Sequence, residues 1–495
     1  MVIHVIAPPP TPNGDLHVGH LSGPYLAADI YSRCLRQSGA TVSYVISTDD
    51  HQSYVDTSAT RLETTPAQLI ARSRAEIRAT LDSFSIELTR FAAIDPAYVD
   101  FVEDFFRTLL VREKIEVRST AVLYDRVSAR YAVEAFVSGF CRTCLARSSG
   151  GICEACGHPN RCIDLLDVDS ERFAVLHEPR LILDLERYRS RLEVRLLGMT
   201  THRPWLGNLI RSLLANELPP FVLSYKTGRG VDTAFAGLGD QKLNVWGEMF
   251  PGHMYFLQQA SGALSSRDGY IQFLGFDNSY FYAIVHVALS IAAEEAGFDW
   301  PKPGAFVTNQ FYNLDNAKFS TSKGHLVWAR PLAEEFNSDL IRLYLAIHGP
   351  EYQEANFSKD SFHATAIQLA GDINRLVCGF NDIADLSAKA DDVAAATLAA
   401  AARPLTGLDR YSSSDAARRA MNCIRFLGER ISAGDLGLAA YVPGLLALCL
   451  EPFCPRYSQA IRHGFGMAST NWDRLAPVGL SGTLPGIEIK AGSPA

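Results

Sequence analysis

Two histidines near the start of the chain, His17 and His20, stand three residues apart in the segment PNGDLHVGH. Residues with this spacing share one face of a helix, so both imidazoles can donate to the oxygens of one phosphate. Gly14 and Gly19 let the backbone approach a ligand, and the start of a helix offers unpaired N–H groups to anions. The segment therefore predicts a triphosphate site. Taken alone, two surface histidines at a helix start explain it equally well.

A loop in the second half of the chain carries Lys318, Ser320, Ser322 and Lys323 in the segment NAKFSTSKG. A mobile lysine among hydroxyl groups can hold a leaving pyrophosphate and stabilise the charge of the transition state. We expect Lys318 to act in catalysis and the other three side chains to bind nucleotide phosphates. When such a loop occurs alone, a solvated surface turn is its ordinary explanation.

Four of the ten cysteines stand in two Cys-x-x-Cys pairs that are separated by eight residues. Each pair can place two thiolates about 2.3 Å from one zinc ion, and two pairs complete a tetrahedron. A shell closed by four sulfurs leaves no open coordination position, so we predict a structural zinc site. Buried free thiols are the alternative. The predicted ligands are Cys141, Cys144, Cys153 and Cys156.

The elements that must position these residues follow a β-α-β order. Residues 2–6 form a β-branched run, residues 20–39 have helical spacing of apolar residues, and residues 41–46 form a second strand. This order predicts an α/β fold with a Rossmann-type, doubly wound sheet, whose ligands bind beyond the carboxyl ends of the strands. A cysteine-containing insertion interrupts the pattern, which resumes with residues 243–246 and 271–274.

The chain divides into several predicted parts. Its C-terminal third is rich in alanine and leucine without clear strands, which is typical of a helical bundle, and its end is rich in glycine and proline, which predicts a flexible tail. The predicted parts are a catalytic domain formed by 1–116 and 226–330, a zinc-containing insertion at 117–225, a linking region at 331–360, the bundle at 361–475 and the tail at 476–495.

The composition is that of an ordinary globular protein, with 47% hydrophobic and 20% charged residues among 495. No long apolar run and no signal peptide are evident, so we expect a cytoplasmic enzyme without a membrane span. The scattered cysteines suit a reducing compartment. The net charge of −8 provides no bulk attraction for a polyanion, although a local basic face would still permit one.

The PNGDLHVGH and KFSTS segments together resemble the paired signatures of class I aminoacyl-tRNA synthetases, and residues 1–360 are most similar to methionyl-tRNA synthetases. The resemblance implies that ATP, accompanied by Mg²⁺, reacts with an amino acid to form an aminoacyl-adenylate. It makes His17, His20 and Lys318 the catalytic residues, and it implies a structural zinc. The ATP-binding residues would be Asn13, Gly14, Gly19, Gly275, Asp277, Ser320, Ser322 and Lys323.

The resemblance places the amino acid between Asp50, which would hold its α-ammonium group, and Trp246. The alternative explanations are that Asp50 is an ordinary loop aspartate and that Trp246 is an ordinary core tryptophan. The pocket departs from the family, because Thr11 makes one wall smaller and more polar and Tyr282 adds a hydroxyl. We therefore expect that methionine is not the best substrate. The predicted amino-acid-binding residues are Pro9, Thr11, Asp50, Trp246, His253 and Tyr282.

The bundle lacks the features with which a synthetase reads an anticodon. The family's asparagine and arginine positions hold Asp372 and Leu376, although Asn374 and Arg375 lie close by, and Trp472 is the only tryptophan of the bundle. Residues 361–495 contain 12 Lys+Arg and 12 Asp+Glu, a net charge of zero. An RNA-reading module should offer aromatic stacking and positive charge. We expect Asp372 to repel phosphate.

Three hypotheses follow. The leading one is a biosynthetic paralogue that makes an aminoacyl-adenylate and passes the acyl group to a small amine, a hydroxylamine or a carrier, as in natural-product pathways, with a possible cupin-like partner on a separate chain. The second is a genuine methionyl-tRNA synthetase that charges methionine tRNA. The third is an inactive paralogue that acts as a binding module. The sequence identifies neither the amino acid nor the acceptor.

Overall fold

The computed structural model describes residues 2–199, 203–319, 324–383, 390–478 and 482–490. Its centre is a five-stranded, all-parallel sheet, which confirms the predicted α/β class. Both predicted N-terminal strands form over the predicted residues. From one edge to the other the strands are Lys302–Asn309, Gly269–Gly275, Val2–Ile6, Thr41–Ile46 and Arg90–Phe91.

The first strand lies in the middle of this sheet, with a neighbouring strand on each edge and both of its faces covered. Val5 is 0% exposed and Ile6 is 3% exposed, as expected of a strand in a parallel sheet. The next strand along the chain pairs on one side, and Gly269–Gly275, from the far side of the insertion, pairs on the other. The strand order thus reverses here, and ligands bind at such a switch point.

Helices cover both faces of the sheet. The helix predicted over residues 20–39 spans Val18 to Gln37, with a π-helical turn inside it, and Gly39 follows with φ +84°. Residues 243–246 differ from the prediction, because Asn244 caps a helix that begins at Val245. The helices are Val18–His20, Leu21–Tyr25, Leu26–Gln37, Ser53–Arg61, Pro66–Ser83, Pro96–Val111, Val245–Ser261, Tyr280–His286 and Val287–Ala296.

The insertion is built on a long antiparallel hairpin of Glu116–Asp125 and Phe173–Leu183, and the cysteine pairs lie on short hairpins between these strands. Its antiparallel strands continue beyond residue 225, as far as Leu243. The other strands are Arg130–Tyr131, Ser138–Phe140, Arg147–Ser149, Gly151–Ile152, Pro159–Asn160, Phe221–Val222, Ser224–Tyr225, Asp232–Thr233 and Leu238–Leu243, and the helices are Arg189–Leu197 and Pro204–Leu214.

The C-terminal third is helical, as predicted. Ser412 caps one of its helices by accepting the backbone N–H of Asp415, and Pro455 begins another. The helices are Lys359–Asn381, Asp392–Ala402, Ser413–Ser432, Val442–Leu450 and Pro455–Gly464.

The region at 331–360 is a packed part of the core rather than a plain link. Its elements are the helices Ala329–Glu335 and Ser338–His348 and the strand Ala355–Phe357. Arg342 is 0% exposed and donates to Asp29 at 2.7 Å. It also donates to the backbone oxygens of Phe84 and Phe453 at 2.8 and 3.0 Å. One guanidinium therefore joins the nucleotide-binding part to the bundle.

The prediction of a flexible tail is wrong for residues 482–490. Leu484 and Ile487 are buried, and their backbone N–H groups donate to the side chains of Asn381 and Asn374 at 2.9 and 2.8 Å. Both asparagine amides donate back to the same two backbones at 3.0 Å. The asparagine side chains thus pair with an extended segment that has no periodicity of its own.

Candidate functional site

The two histidines lie at the carboxyl end of the first strand, where the helix begins. His17 caps the helix, because its Nδ1 accepts the backbone N–H of His20 at 3.2 Å, and the two rings stack at 3.7 Å. Asp15 positions this turn through its own hydrogen bonds to the backbone N–H of Leu16 and the hydroxyl of Thr80, at 2.7 and 2.6 Å. Asp15 is not among the predicted site residues.

The histidine segment is tied to the chain that follows the lysine loop. Val18 donates its N–H to the Val327 oxygen at 2.9 Å, and the ring of Phe319 stacks on His17 at 4.7 Å. A Cβ at Gly19 would lie 3.0 Å from the His17 ring and 3.1 Å from Phe319, so a larger residue there would require one of these rings to shift. The two predicted signature segments therefore meet in space.

His17 is 8% exposed, whereas His20 is exposed. Burial, together with the neighbouring His20, lowers the pKa of His17 to about 2. The imidazole is therefore neutral, and because Nδ1 accepts a hydrogen bond, the ring proton lies on Nε2. Among the described residues Nε2 has no hydrogen-bond partner, so it can donate to a ligand.

Lys318 points across the site toward the insertion. Its ammonium pairs with Glu154, which lies between the second pair of cysteines, and stands 4.6 Å from the centre of the Phe311 ring. The side chains of Lys318 and Glu154 are 52% and 60% exposed. Ser320, Ser322 and Lys323, the other predicted residues of this loop, lie outside the described residues.

A cavity of about 360 Å³, here called the outer cavity, opens between the central sheet and the insertion. Asp277, Trp246, Glu134 and Glu154 are among its lining residues. Burial, reinforced by Glu154, raises the pKa of Asp277 to about 6, while Lys318 acts in the opposite direction. Asp277 follows the strand that neighbours the first one, so it lies at the switch point where a nucleotide is expected.

A second and much smaller cavity, here called the inner cavity, has room for about one water molecule, 10 Å³. Pro9 and His253, two predicted amino-acid-binding residues, line it, and so does Asp49. Asp50 is not among its lining residues, and its Oδ2 lies 3.8 Å from Arg74. Adjacent side chains at a strand end point in different directions, and here Asp49 turns inward in place of Asp50.

The remaining predicted pocket residues are divided between other surroundings. Trp246 lies in the first turn of its helix and stacks on Phe281 at 4.0 Å, facing the outer cavity. Tyr282 is 1% exposed, and its hydroxyl donates to the Met249 sulfur at 3.7 Å. Thr11 is half-buried and accepts a backbone hydrogen bond within the histidine segment. These three do not line the inner cavity.

Glu248 completes the inner cavity and was missed by the sequence analysis. It is 1% exposed, and its Oε1 accepts from His51 Nδ1 at 2.7 Å and from the Tyr98 hydroxyl at 2.9 Å. Coulombic attraction and the hydrogen bond to Glu248 raise the pKa of His51 against the opposing effect of burial. Both residues stand close to predicted site residues in the sequence, because His51 follows Asp50 directly and Glu248 stands two residues after Trp246. That proximity could have indicated them.

The four cysteines of the insertion converge, as predicted. Their sulfurs all lie within 4.8 Å of one another, with 3.8 Å between Cys141 and Cys156 and 3.6 Å between Cys144 and Cys153. The edge of a tetrahedron with Zn–S bonds of 2.3 Å is about 3.8 Å. The donor set and its size therefore fit zinc, and no further ligand position is left open.

The bundle residues compared with an anticodon reader are engaged within the protein. Trp472 is 5% exposed and donates to Gln37 at 3.3 Å. Asp372 is 8% exposed and accepts from Arg425 at 2.7 Å, so the prediction that it repels phosphate is wrong. Arg375 remains 62% exposed on the same helix. Leu376 is fully buried.

A parallel nucleotide-binding sheet, stacked histidines at its switch point and a lysine segment packed against them define the class of ATP-dependent ligases that form an aminoacyl-adenylate. The model of the family described as tRNA synthetases class I (M) matches residues 3–377, so the chain belongs to that family. No helix in the described ranges is long and apolar enough to cross a membrane.

Individual relatives extend this finding. Methionine–tRNA ligase of Flavobacterium johnsoniae is 28% identical, and the match covers 72% of this chain and 52% of that protein. The corresponding ligase of Parabacteroides distasonis is 24% identical over 95% of this chain and 75% of its own length. The structure of Mycobacterium tuberculosis methionyl-tRNA synthetase bound by methionyl-adenylate superposes with a TM-score of 0.76 at 18% identity, covering 99% of both chains. The fold is therefore shared from end to end.

Proposed function

We propose that this chain joins an amino acid to AMP, with ATP entering as its magnesium complex and pyrophosphate leaving. The main support is the convergence of two distant segments, in which Phe319, next to Lys318, packs on His17. Two imidazoles and a cation then face one nucleotide. In this proposal Asp277 accepts hydrogen bonds from the ribose, and Asn13, Gly14 and Gly19 approach the phosphates.

The reaction requires charge stabilisation rather than a covalent intermediate. A carboxylate oxygen of the amino acid attacks the α-phosphorus, and the bond from that phosphorus to the bridging oxygen of pyrophosphate breaks. His17 donates from Nε2, and His20 donates beside it, as charge builds on the phosphate oxygens. Lys318 leaves Glu154 and follows the pyrophosphate. Asp49 or Asp50 holds the α-ammonium group, since Oδ1 of each is buried and has no hydrogen-bond partner among the described residues.

Amino-acid-dependent exchange of pyrophosphate into ATP, measured without tRNA, tests this proposal. We expect exchange with at least one amino acid and a loss of about 10²-fold or more in Lys318→Ala, the usual scale for a lost transition-state donor. A panel of amino acids without any exchange would refute adenylate formation and favour the binding-module hypothesis.

For the acyl acceptor, tRNA is the first candidate. The relatives that are named methionine–tRNA ligases match up to 95% of this chain, so their similarity extends over the bundle as well as the catalytic part. The test is aminoacylation of total tRNA with the amino acid that exchanges best. Saturable charging of one tRNA species supports this candidate, and adenylate formation without charging refutes it.

A small amine, hydroxylamine or carrier is the second candidate, favoured by a third cavity. This insertion cavity, about 360 Å³, lies behind Trp246 and Glu134, which also line the outer cavity. Arg180, a buried cation, lines it, and burial raises the pKa of Glu134 to about 7. A carboxylate with that pKa can accept the proton of an attacking amine. The test is amide formation from added amines, detected by mass spectrometry. The rate with enzyme present should exceed the rate at which released adenylate reacts with the same amine in solution.

A further inference from the structure

The inner cavity brings together buried polar atoms that no partner satisfies. Among the described residues, Asp49 Oδ1, Glu248 Oε2 and both ring nitrogens of His253 have no hydrogen-bond partner. These side chains are 5%, 1% and 5% exposed, and all three line the cavity. A buried polar atom that is left unpaired destabilises the protein, because it loses its hydrogen bonds to water without replacement. Their convergence indicates a ligand that supplies the missing hydrogen bonds.

The number of buried carboxylates near the inner cavity distinguishes a substrate with a cationic side chain from one with a thioether side chain. The α-ammonium group needs one carboxylate, and Asp49 or Asp50 suffices for it. Glu248 is an additional acceptor, held with its Oε1 on His51 and Tyr98 and its Oε2 free. The thioether of methionine has no donor and is only a weak acceptor. A methionine side chain would therefore leave Glu248 Oε2 buried and unpaired.

We infer that the inner cavity selects an amino acid whose side chain ends in a hydrogen-bond-donating, cationic amine. This inference rests on the proposed function, because it names the substrate class of the same site. The terminal nitrogen donates to Glu248 Oε2 and to one ring nitrogen of His253, while the methylene stem passes Pro9. The cavity admits about one water molecule, 10 Å³, and an ammonium group is of that size.

The surroundings of the cavity are consistent with a cation. Burial and the neighbouring His286 lower the pKa of His253 well below its usual value, so its ring is neutral and one nitrogen can accept. Burial, together with Glu134, Glu248 and Asp50, raises the pKa of Asp49. An added positive charge would relieve this repulsion. Arg74 and Arg229 are nearby cations, and both pair with carboxylates, as does the ring of His51 with Glu248.

The test is pyrophosphate exchange with methionine, norleucine, 2,4-diaminobutyrate, ornithine and lysine. Sites built to hydrogen-bond a substrate group reject the analogue without it by about 10⁴–10⁵-fold. Because a water molecule can replace the amine in part, we expect the best diamino acid to exceed methionine by at least ~10²-fold in kcat/KM. The highest kcat/KM with methionine would overturn the inference and mean that water satisfies the polar atoms.

The variant Glu248→Gln keeps the shape and removes the charge. We expect the ratio of diamino acid to methionine kcat/KM to fall by at least ~10-fold, the factor that 1.4 kcal/mol represents. Glu451→Gln is the matched control, since Glu451 Oε2 is also buried without a partner but lies in the bundle beside Arg33. An unchanged ratio in Glu248→Gln would refute the role of Glu248. No exchange with any amino acid would instead refute the proposed function itself.

Discussion

The ion pair between Lys318 and Glu154 gives a quantitative test of the catalytic role that we propose for Lys318. In the proposed reaction the lysine must leave Glu154 to reach pyrophosphate, so a stronger pair would slow the reaction. Both side chains are more than half exposed, and exposed ion pairs contribute about 0.2–1 kcal/mol. Releasing the lysine therefore costs a factor of roughly five at most, since 1.4 kcal/mol is tenfold.

Glu154→Gln removes the charge and keeps the shape of the side chain. We expect kcat/KM for ATP in the exchange assay to rise by up to ~5-fold. This increase should become smaller as the salt concentration rises, because salt screens an exposed ion pair. Metal content serves as the control, because Glu154 stands between Cys153 and Cys156. Loss of exchange in Glu154→Gln with an intact metal site would refute the reasoning and show that Glu154 itself contacts the nucleotide.

Three further outcomes are expected. His17→Ala and His20→Ala should each lower exchange by about 10²-fold, and full activity in both would remove the histidines from the mechanism. The purified chain should contain one zinc by elemental analysis, which Cys153→Ser should reduce severely; metal-free native protein would contradict this. Arg342→Met should destabilise the protein to urea by about 3–5 kcal/mol, because it leaves buried Asp29 and several carbonyls short of a donor. Arg403→Met, which removes an exposed pair, should cost less than about 1 kcal/mol.

Local chemistry made several parts of this protein predictable. The strands at Val2–Ile6 and Thr41–Ile46 are short β-branched runs between turn residues, and such runs form buried parallel strands with few alternatives. The two Cys-x-x-Cys pairs determine a four-sulfur cluster because each pair already carries its own turn. The histidine and lysine segments were each ambiguous alone, and their joint occurrence indicated the family.

The sequence does not indicate which of two adjacent aspartates faces inward. Asp49 and Asp50 have the same chemistry, and only the path of the chain after the strand turns Asp49 toward His253 and leaves Asp50 beside Arg74. Glu248 is similar, since a charged residue on a helix is ordinarily exposed, and its burial depends on His51 and on a helix from another part of the chain.

Long-range pairings were likewise decided only in three dimensions. Lys318 and Glu154 are 164 residues apart, and nothing in either segment specifies the other. The same holds for the C-terminal residues that pair with Asn374 and Asn381, where the glycine- and proline-rich composition indicated flexibility. Residue types and spacing thus determined the fold class, the four-cysteine cluster and the family. The relative placement of the elements decided which carboxylates line the inner cavity, because that depends on packing between segments distant in sequence.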